Sequence, residues 1–290
     1  MRDNYEIPGW PRTDNEKRLL MITTDRVSAF DVVMSQGVPE LGKIRNQISI
    51  FWFERLRDLC PNHIFSSDQQ LCADTIKAKY REANDLIGRC VLVYPAKVFK
   101  VECVVRGYLA GSAWESYRKN GTVCGIEIRP GPKEAEKLSQ PIFTPTTKAA
   151  AGHDKPITFD KLVKRVGGDV AEELREKSLK LYTEADRRAR IGGIIIADTK
   201  FEFGVYNGRI ILIDELLTPD SSRFWDVAEY KPGRPQPSFD KQPLRDWLST
   251  NGWNREPPAP DLPDEVIKET RERYIKAFEM LTRQKWPPKF

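Results

Sequence analysis

Asp198, Lys200 and Glu202 stand two positions apart on a predicted strand and so share one face, while Phe201, Phe203 and Val205 take the other. On a half-buried sheet such a charged face is most simply solvated. The sequel argues against that. Ile210–Ile213 is apolar throughout, as in a strand covered on both sides, and it runs into Asp214, Glu215, Asp220, Arg223 and Asp226. Carboxylates gathered beside a lysine at the covered end of a sheet suit one or two Mg²⁺ ions with phosphate oxygens, because Mg²⁺ takes few carboxylates and completes its shell with water and substrate. A second constellation lies in Val101–Ser112, where Arg106 ends a strand and Gly107, Gly111 and Ser112 follow. A guanidinium, small residues and a helix N-terminus within a few positions have the chemistry of a phosphate seat, although an ordinary turn has the same spacing.

The elements that must position these groups follow from periodicity. Arg18–Thr24 reads as a short buried strand, and Ile44–Cys60 as a helix with Ile44, Ile48, Phe51, Trp52, Leu56 and Leu59 on one stripe. The polar loop between them carries Asp25–Asp31, placed after a strand end where binding groups are common. Strands are predicted near Arg89–Tyr94 and Val98–Val105, with Ser112 as the N-cap of a short helix Ala113–Lys119. Thr122–Pro156, rich in Pro, Gly and Thr, reads as a long excursion around a site. A helix over Ala171–Arg190 presents Leu174, Leu181, Tyr182, Ala185 and Ala189, and Gly192-Gly193 stops it. Ile194–Tyr206, Asn207-Gly208 and Arg209–Leu216 form the strongest local signal, a β-hairpin. A proline-punctuated tail leads to an amphipathic helix, Glu265–Lys285.

Composition narrows the class. The chain has 290 residues with 47 Lys+Arg against 42 Asp+Glu, long enough for a core that needs no disulfide or metal staple. Five cysteines never spaced as C-x-x-C and only two histidines exclude zinc-finger and Cys/His zinc chemistry, and free thiols in a reducing compartment are expected. No apolar run reaches the ~20 residues that span a bilayer, and the polar N-terminus lacks a signal-peptide core, so a cytoplasmic protein without a membrane partner is expected. A pI near 8.8 admits nucleic acid, but acidic residues interleave with basic ones almost everywhere, and a polyanionic small molecule explains local arginines equally well.

Five segments in this order, Asp25–Asp31 (DRVSAFD), Val101–Ser112 (VECVVRGYLAGS), Pro141–Asp154 (PIFTPTTKAAAGHD), Asp198–Gly204 (DTKFEFG) and Asp214–Asp226 (DELLTPDSSRFWD), resemble the phosphoribosylaminoimidazole-succinocarboxamide synthase (SAICAR synthetase) family from Arg2 to about Leu248. The resemblance implies an ATP- and Mg²⁺-dependent ligase joining L-aspartate to 5-amino-1-(5-phospho-ribosyl)imidazole-4-carboxylate (CAIR) in purine biosynthesis. It implies that the backbone around Glu102 and Val104 holds adenine in a kinase-like hinge and that Lys148 meets the ATP phosphates. Glu202 and Asp214 match the family's Mg²⁺ ligands, and Arg106, Ser112 and Arg223 match residues seating the ribose phosphate. Asp198, Lys200 and Asp220 stand as the catalytic group, the two aspartates orienting the rest of CAIR, and Ser28 and Asp31 are candidates for aspartate and the carboxylates. His153 is as compatible with a structural place as with participation. The family carries a Gly-Lys pair just before the segment matching Arg2–Tyr5. Either that pair lies upstream of Met1 in the native protein, or phosphate binding leans on Lys148 and the metals.

The resulting expectation is an α+β, bilobal enzyme: an N-terminal antiparallel β lobe over residues 1–100, a larger lobe over 101–290 with a mixed sheet and helices, and ATP in the cleft between. Its partners are CAIR and L-aspartate, with no nucleic acid and an open oligomeric state. The rivals are a small-molecule kinase of similar design and a nucleic-acid-binding module. Hairpin register decides which carboxylate meets the metal. Because the resemblance selects Asp214, a G1-bulged turn pairing Val205 with Arg209 is predicted, with Asp214 opposite Lys200 and Glu215 set aside.

Overall fold

The computed structural model describes residues 1–7, 17–77, 83–148 and 154–289. The spine of the protein is the 13-residue strand Ile194–Tyr206. On one edge it meets Val101–Tyr108, antiparallel with Asp198 opposite Arg106 and Lys200 opposite Val104, and further along it meets Lys97–Val98. On the other edge lie Ser222–Asp226 and then Arg209–Ile213. Lys137–Phe143 and Thr146–Thr147 extend the sheet beyond Val101–Tyr108 to seven strands. The fold is α+β as expected. The larger sheet, however, is antiparallel between all of its named strands rather than mixed.

Alternation along these strands separates the core from the chemistry. Val101, Cys103, Val105, Phe201 and Phe203 turn into the main core, and the helix Gly168–Ile191 covers them with Leu174, Leu181, Tyr182, Ala185 and Ala189. Glu102, Val104, Arg106, Asp198 and Lys200 turn the other way, to a cleft. Strict alternation would put Ile194 and Ile196 on the Asp198 face, yet both belong to the main core. The pairing with Ser222–Asp226 slips by one residue between Ile196 and Asp198, so a β-bulge at Ala197 exchanges the faces. The bulge lets one strand supply core upstream and charged groups downstream.

Four strands, Arg2–Glu6, Leu19–Thr23, Cys90–Val93 and Ile64–Ser66, form a second antiparallel sheet in that spatial order. The two sheets are tied by the segment before Ile64: Leu212 N donates to Pro61 O (2.9 Å), His63 N donates to Leu212 O (3.0 Å), and Tyr94 N donates to His63 O (2.8 Å). The first long helix spans Leu41–Leu56, starting before the predicted Ile44 because Asp25 Oδ1 accepts from Gly42 N (2.8 Å) and holds its first turn. Its stripe of Leu41, Ile44, Ile48, Trp52 and Leu56 packs with the last helix, Asp264–Thr282, which supplies Tyr274, Ala277, Phe278 and Leu281 to the same core. Three helices escape the periodicity reading: Gln69–Lys77, Phe159–Val166, whose Thr158 side chain accepts from Lys161 N, and Gln242–Thr250, with Pro243 in its first turn. The excursion Thr122–Pro156 contains four strands, short or interrupted by Pro141, and that brevity hides them from period-two counting. All five cysteines are free thiols, and among the described residues no helix is long and apolar enough to cross a membrane.

Gly107 sits where the Val101–Tyr108 strand passes the covering helix. A Cβ there would lie 2.0 Å from the hydroxyl of Tyr182, which donates to Ile196 O (2.6 Å) from a buried position. Gly107→Ala is therefore expected to destabilise the protein by about 1–3 kcal/mol through overpacking and loss of that bond. Urea denaturation measures it, and an unchanged midpoint would remove the close approach as a constraint.

Candidate active site

The cleft has a volume of about 510 Å³, and its floor is the charged face of the two central strands. At one end Asp198 Oδ2 accepts from Arg106 Nη1 (2.9 Å) and also from Arg223. Arg106 is further held by Thr144 Oγ1 (3.0 Å from Nε) and Ser112 Oγ (3.3 Å from Nη2). Two guanidiniums share one carboxylate, so the cluster keeps one positive charge in excess, and Arg223 is two-fifths exposed to the cleft. Burial lowers the Arg106 pKa somewhat although Asp198 opposes it, while Asp198 raises that of Arg223; both remain cations. Gly111, at φ +53°, lets the backbone lie against this seat: a Cβ would fall 2.4 Å from Arg223 Nη2. Ser112 is not the cap of its helix. The helix begins at Ser112 itself with Gly111 in the capping position, and the serine hydroxyl serves Arg106 instead.

Next along the floor, Lys200 Nζ donates to Glu102 Oε1 (2.6 Å) and Thr146 Oγ1 donates to Glu102 Oε2 (2.9 Å), while Lys148 pairs with Glu202. Burial would lower the Lys200 ammonium, but Glu102 and Glu202 outweigh it and hold its pKa above the usual value. Glu202 is raised, first by burial and then by the charge of Asp214, against the pull of Lys148 and Lys200. The expected backbone hinge at Glu102 and Val104 meets an obstacle. Glu102 is a ladder partner of Thr146, and Val104 O accepts from Thr144 N (2.8 Å), so this backbone is already a rung of the sheet. These two residues offer the cleft their side chains.

The hairpin register differs from the predicted one. Tyr206 pairs with Arg209 and Glu202 with Ile213 across a two-residue turn, with Asn207 at φ 47° and Gly208 at φ 72°, the signature of type I′. In that register a continuing strand would turn Asp214 toward the Phe201 face. The strand stops at Ile213, and Asp214 adopts φ 67°, a left-handed conformation that breaks the alternation. Its carboxylate thereby acts electrostatically on Glu202 after all. Arg2 grips it through Nε–Oδ1 (2.7 Å) and Nη2–Oδ2 (2.6 Å), and reaches Glu215 Oε2 through Nη1 (2.8 Å). Burial raises the Asp214 carboxyl, but Arg2 outweighs it and leaves the pKa lowered. Glu215 faces Arg2 and Thr218 Oγ1 (2.7 Å).

Asp220 lines the cleft beside Arg223. Arg45 donates to its Oδ2, and Tyr274 Oη (2.6 Å) and Lys241 Nζ (3.9 Å) face its Oδ1. None of Arg45, Lys241 and Tyr274 was reached from the sequence, nor were Asp240 and Arg245, a pair at 3.1 Å on the cleft wall. Arg45 offers the one usable signal, the one charge on the buried side of its helix. Ser28 and Asp31 are not brought to the cleft lining. Ser28 begins a two-residue strand paired with Val32–Val33, and Phe30 and Asp31, both at positive φ, make its turn, with Phe30 packed on Trp253 and Arg255. His153 lies outside the described residues.

An α+β scaffold that lines one cleft with Arg106, Arg223, Arg245 and Lys200 among the carboxylates Glu102, Asp198, Asp220 and Asp240 has the charge complement for anionic small molecules. The chain belongs to the SAICAR synthetase family, whose model matches residues 2–260. It is 49% identical over 282 residues to the phosphoribosylaminoimidazole-succinocarboxamide synthase of Thermodesulfovibrio yellowstonii, covering 97% of this chain and 93% of that one. It is 52% identical to that of Trichlorobacter lovleyi, covering 90% and 87%. Among solved structures, the SAICAR synthase of Saccharomyces cerevisiae complexed with SAICAR superposes with a TM-score of 0.88 at 40% identity, over 99% of this chain and 94% of that one.

Proposed function

We propose that the protein ligates L-aspartate to CAIR at the expense of ATP, giving SAICAR, ADP and phosphate. The observation that carries this reading is the seat of Arg106, Ser112 and Arg223 around Asp198 in a chain whose yeast relative was solved with SAICAR. Two arginines over one shared carboxylate leave a net positive charge and free donors, the right complement for a ribose phosphate. On this reading nucleotide binds between residues 1–100 and 101–290, and the reach of Arg2 and Arg45 to Asp214, Glu215 and Asp220 supports that place.

A carboxylate resists direct attack by an amine because its oxygen leaves poorly. Transfer of the γ-phosphoryl group forms a C–O–P bond as ADP departs; the aspartate amine then attacks the acyl carbon, phosphate leaves, and the amine gives up its proton. Little covalent work falls to the protein, which must align the reactants and offset their mutual repulsion. Arg106 and Arg223 hold CAIR by its phosphate, Lys200 on the floor and Lys148, paired with Glu202 outside the cleft lining, are cations for the carboxylate and the transferring group, and Asp198 and Asp220 are acceptors for N–H or O–H groups. Glu202 and Asp214 act on one another and are the carboxylates that would hold Mg²⁺; Lys148 and Arg2 pair with them in the structure, so the ion would replace part of those pairings and complete its shell with water and phosphate oxygens. When bound there, Mg²⁺ would neutralise charge on the phosphates.

The test is ADP release with CAIR and ATP, with and without L-aspartate, with mass spectrometry of the product. Aspartate-dependent release and a succinocarboxamide product are expected. ADP formed equally without aspartate would favour a kinase, and no release in either case would favour a binding module.

A further inference from the structure

Arg45 is the one charged residue on the buried side of its helix, where Asn46 and Ser49 are the other buried polar residues. It lies on the buried stripe of Leu41–Leu56, only 3% exposed, between Ile44 and Ile48. An arginine in that place is costly to bury unless it is paired. Its guanidinium divides between two distant elements: Nη1 donates to Asp220 Oδ2 on the cleft wall, and Nη2 donates to Thr24 O (2.7 Å) at the end of a strand of the smaller sheet, while Nε has no partner. From the opposite side the fully buried Tyr274, on the last helix, donates to Asp220 Oδ1 (2.6 Å). Two helices far apart in sequence converge on one cleft carboxylate.

We infer that Arg45 and Tyr274 are positioning residues that hold the Asp220 carboxylate with its remaining lone pairs toward the cleft, as an acceptor for a donor group of the substrate. The inference rests on the cleft being the CAIR and aspartate site. An ionised carboxylate accepts only, and it has about four lone-pair directions. Arg45 and Tyr274 occupy two of them from behind, so those left toward the cleft take an N–H donor and reject a carboxylate or phosphate oxygen. Such selectivity matters where every reactant is an anion and only its amino and hydroxyl groups donate. Lys241 faces the same carboxyl at 3.9 Å, the amino group of Met1 acts on it, Arg2 and Glu215 act on Arg45, and Asp240 acts on Tyr274. Burial alone would raise the Asp220 pKa; Lys241, Arg45 and Tyr274 outweigh burial and keep it well below the usual carboxylate range. The sign follows: the acceptor is ionised throughout the neutral range, and removing a donor moves its protonation upward, so function is lost as pH falls.

The experiment compares wild type, Tyr274→Phe, Arg45→Met and Arg45→Lys between pH 5 and 9. For Arg45→Met, kcat/KM for CAIR is expected to fall about 10- to 100-fold at pH 7 with KM for ATP within about two-fold, since a charged hydrogen-bond partner is lost. A new acid limb should appear that wild type lacks, smaller in Tyr274→Phe, and Arg45→Lys should restore the flat profile. Should Arg45→Met fold poorly, Tyr274→Phe, which removes one oxygen, carries the comparison. Carboxyl resonances of ¹³C-aspartate-labelled protein, with Asp220 assigned through Asp220→Asn, read the ionisation without catalysis. A wild type lacking aspartate-dependent turnover would sink the substrate reading, whereas the resonance still decides the positioning role. Variant profiles parallel to wild type, or an Asp220 resonance that titrates alike in wild type and Tyr274→Phe, would overturn it.

Discussion

Asp214→Asn and Glu202→Gln should each lower Mg²⁺-dependent turnover by roughly 100-fold or more, because on the proposed function each removes one of the two carboxylates that would hold the ion, a loss of several kcal/mol of charge stabilisation. CAIR affinity should change little, as the Arg106–Asp198–Arg223 seat shares no hydrogen bond with either residue. Glu215→Gln should stay within about 5-fold of wild type, since Glu215 meets Arg2 and Thr218. Titrating Mn²⁺ by electron paramagnetic resonance separates metal binding from turnover: both carboxylate variants should weaken the ion, and the Glu215 variant should not. A Glu215→Gln protein more impaired than Asp214→Asn would show that the left-handed turn at Asp214 does not deliver the ligand.

Arg106→Ala and Arg223→Ala should weaken CAIR about 10- to 100-fold while ATP affinity stays nearly constant, the loss corresponding to roughly 1.5–3 kcal/mol for a charged donor. The two are not equivalent. Arg106 is buried and also holds Thr144 and Ser112, so its removal leaves Asp198 leaning on Arg223 alone and should cost folding stability too. Arg223 is more exposed, and its loss should appear mainly in CAIR binding. Isothermal titration with CAIR and with a non-hydrolysable ATP analogue measures both. Equal losses for the two ligands in both variants would take these arginines out of the ribose-phosphate seat.

Much of the site was legible because its residues sit on the regular part of the fold. Period-two spacing placed Asp198 and Lys200 on the cleft floor and the strand reading of Val98–Val105 carried Arg106 beside them, while Glu202 lies outside the cleft lining. The helix stripe of Leu174, Leu181, Tyr182, Ala185 and Ala189 held because burying one face is what such a pattern encodes. The hairpin was legible as an element and misread in register: Asn-Gly permits the two-residue turn, and Asp214 leaves the strand in a left-handed conformation instead of lying opposite Lys200. The Ser28–Asp31 turn carried the right residue types but is spent on its own hairpin and on packing Phe30 against the tail.

What the sequence determined by itself is therefore local: strand faces, helix stripes, the turn at Asn207-Gly208, and motif order sufficient for the family. Tertiary structure decided which distant groups complete the site. The bulge at Ala197 exchanges core and cleft faces within one strand, and the backbone turn at Asp214 re-aims a carboxylate; both are choices among conformations that side-chain order leaves open. Arg2, Arg45, Lys241 and Tyr274 come to the carboxylates from four segments whose separation along the chain carries no local periodicity. Their meeting depends on how helices and sheets pack, and on electrostatic pairing that appears only once burial has removed water from around the charges.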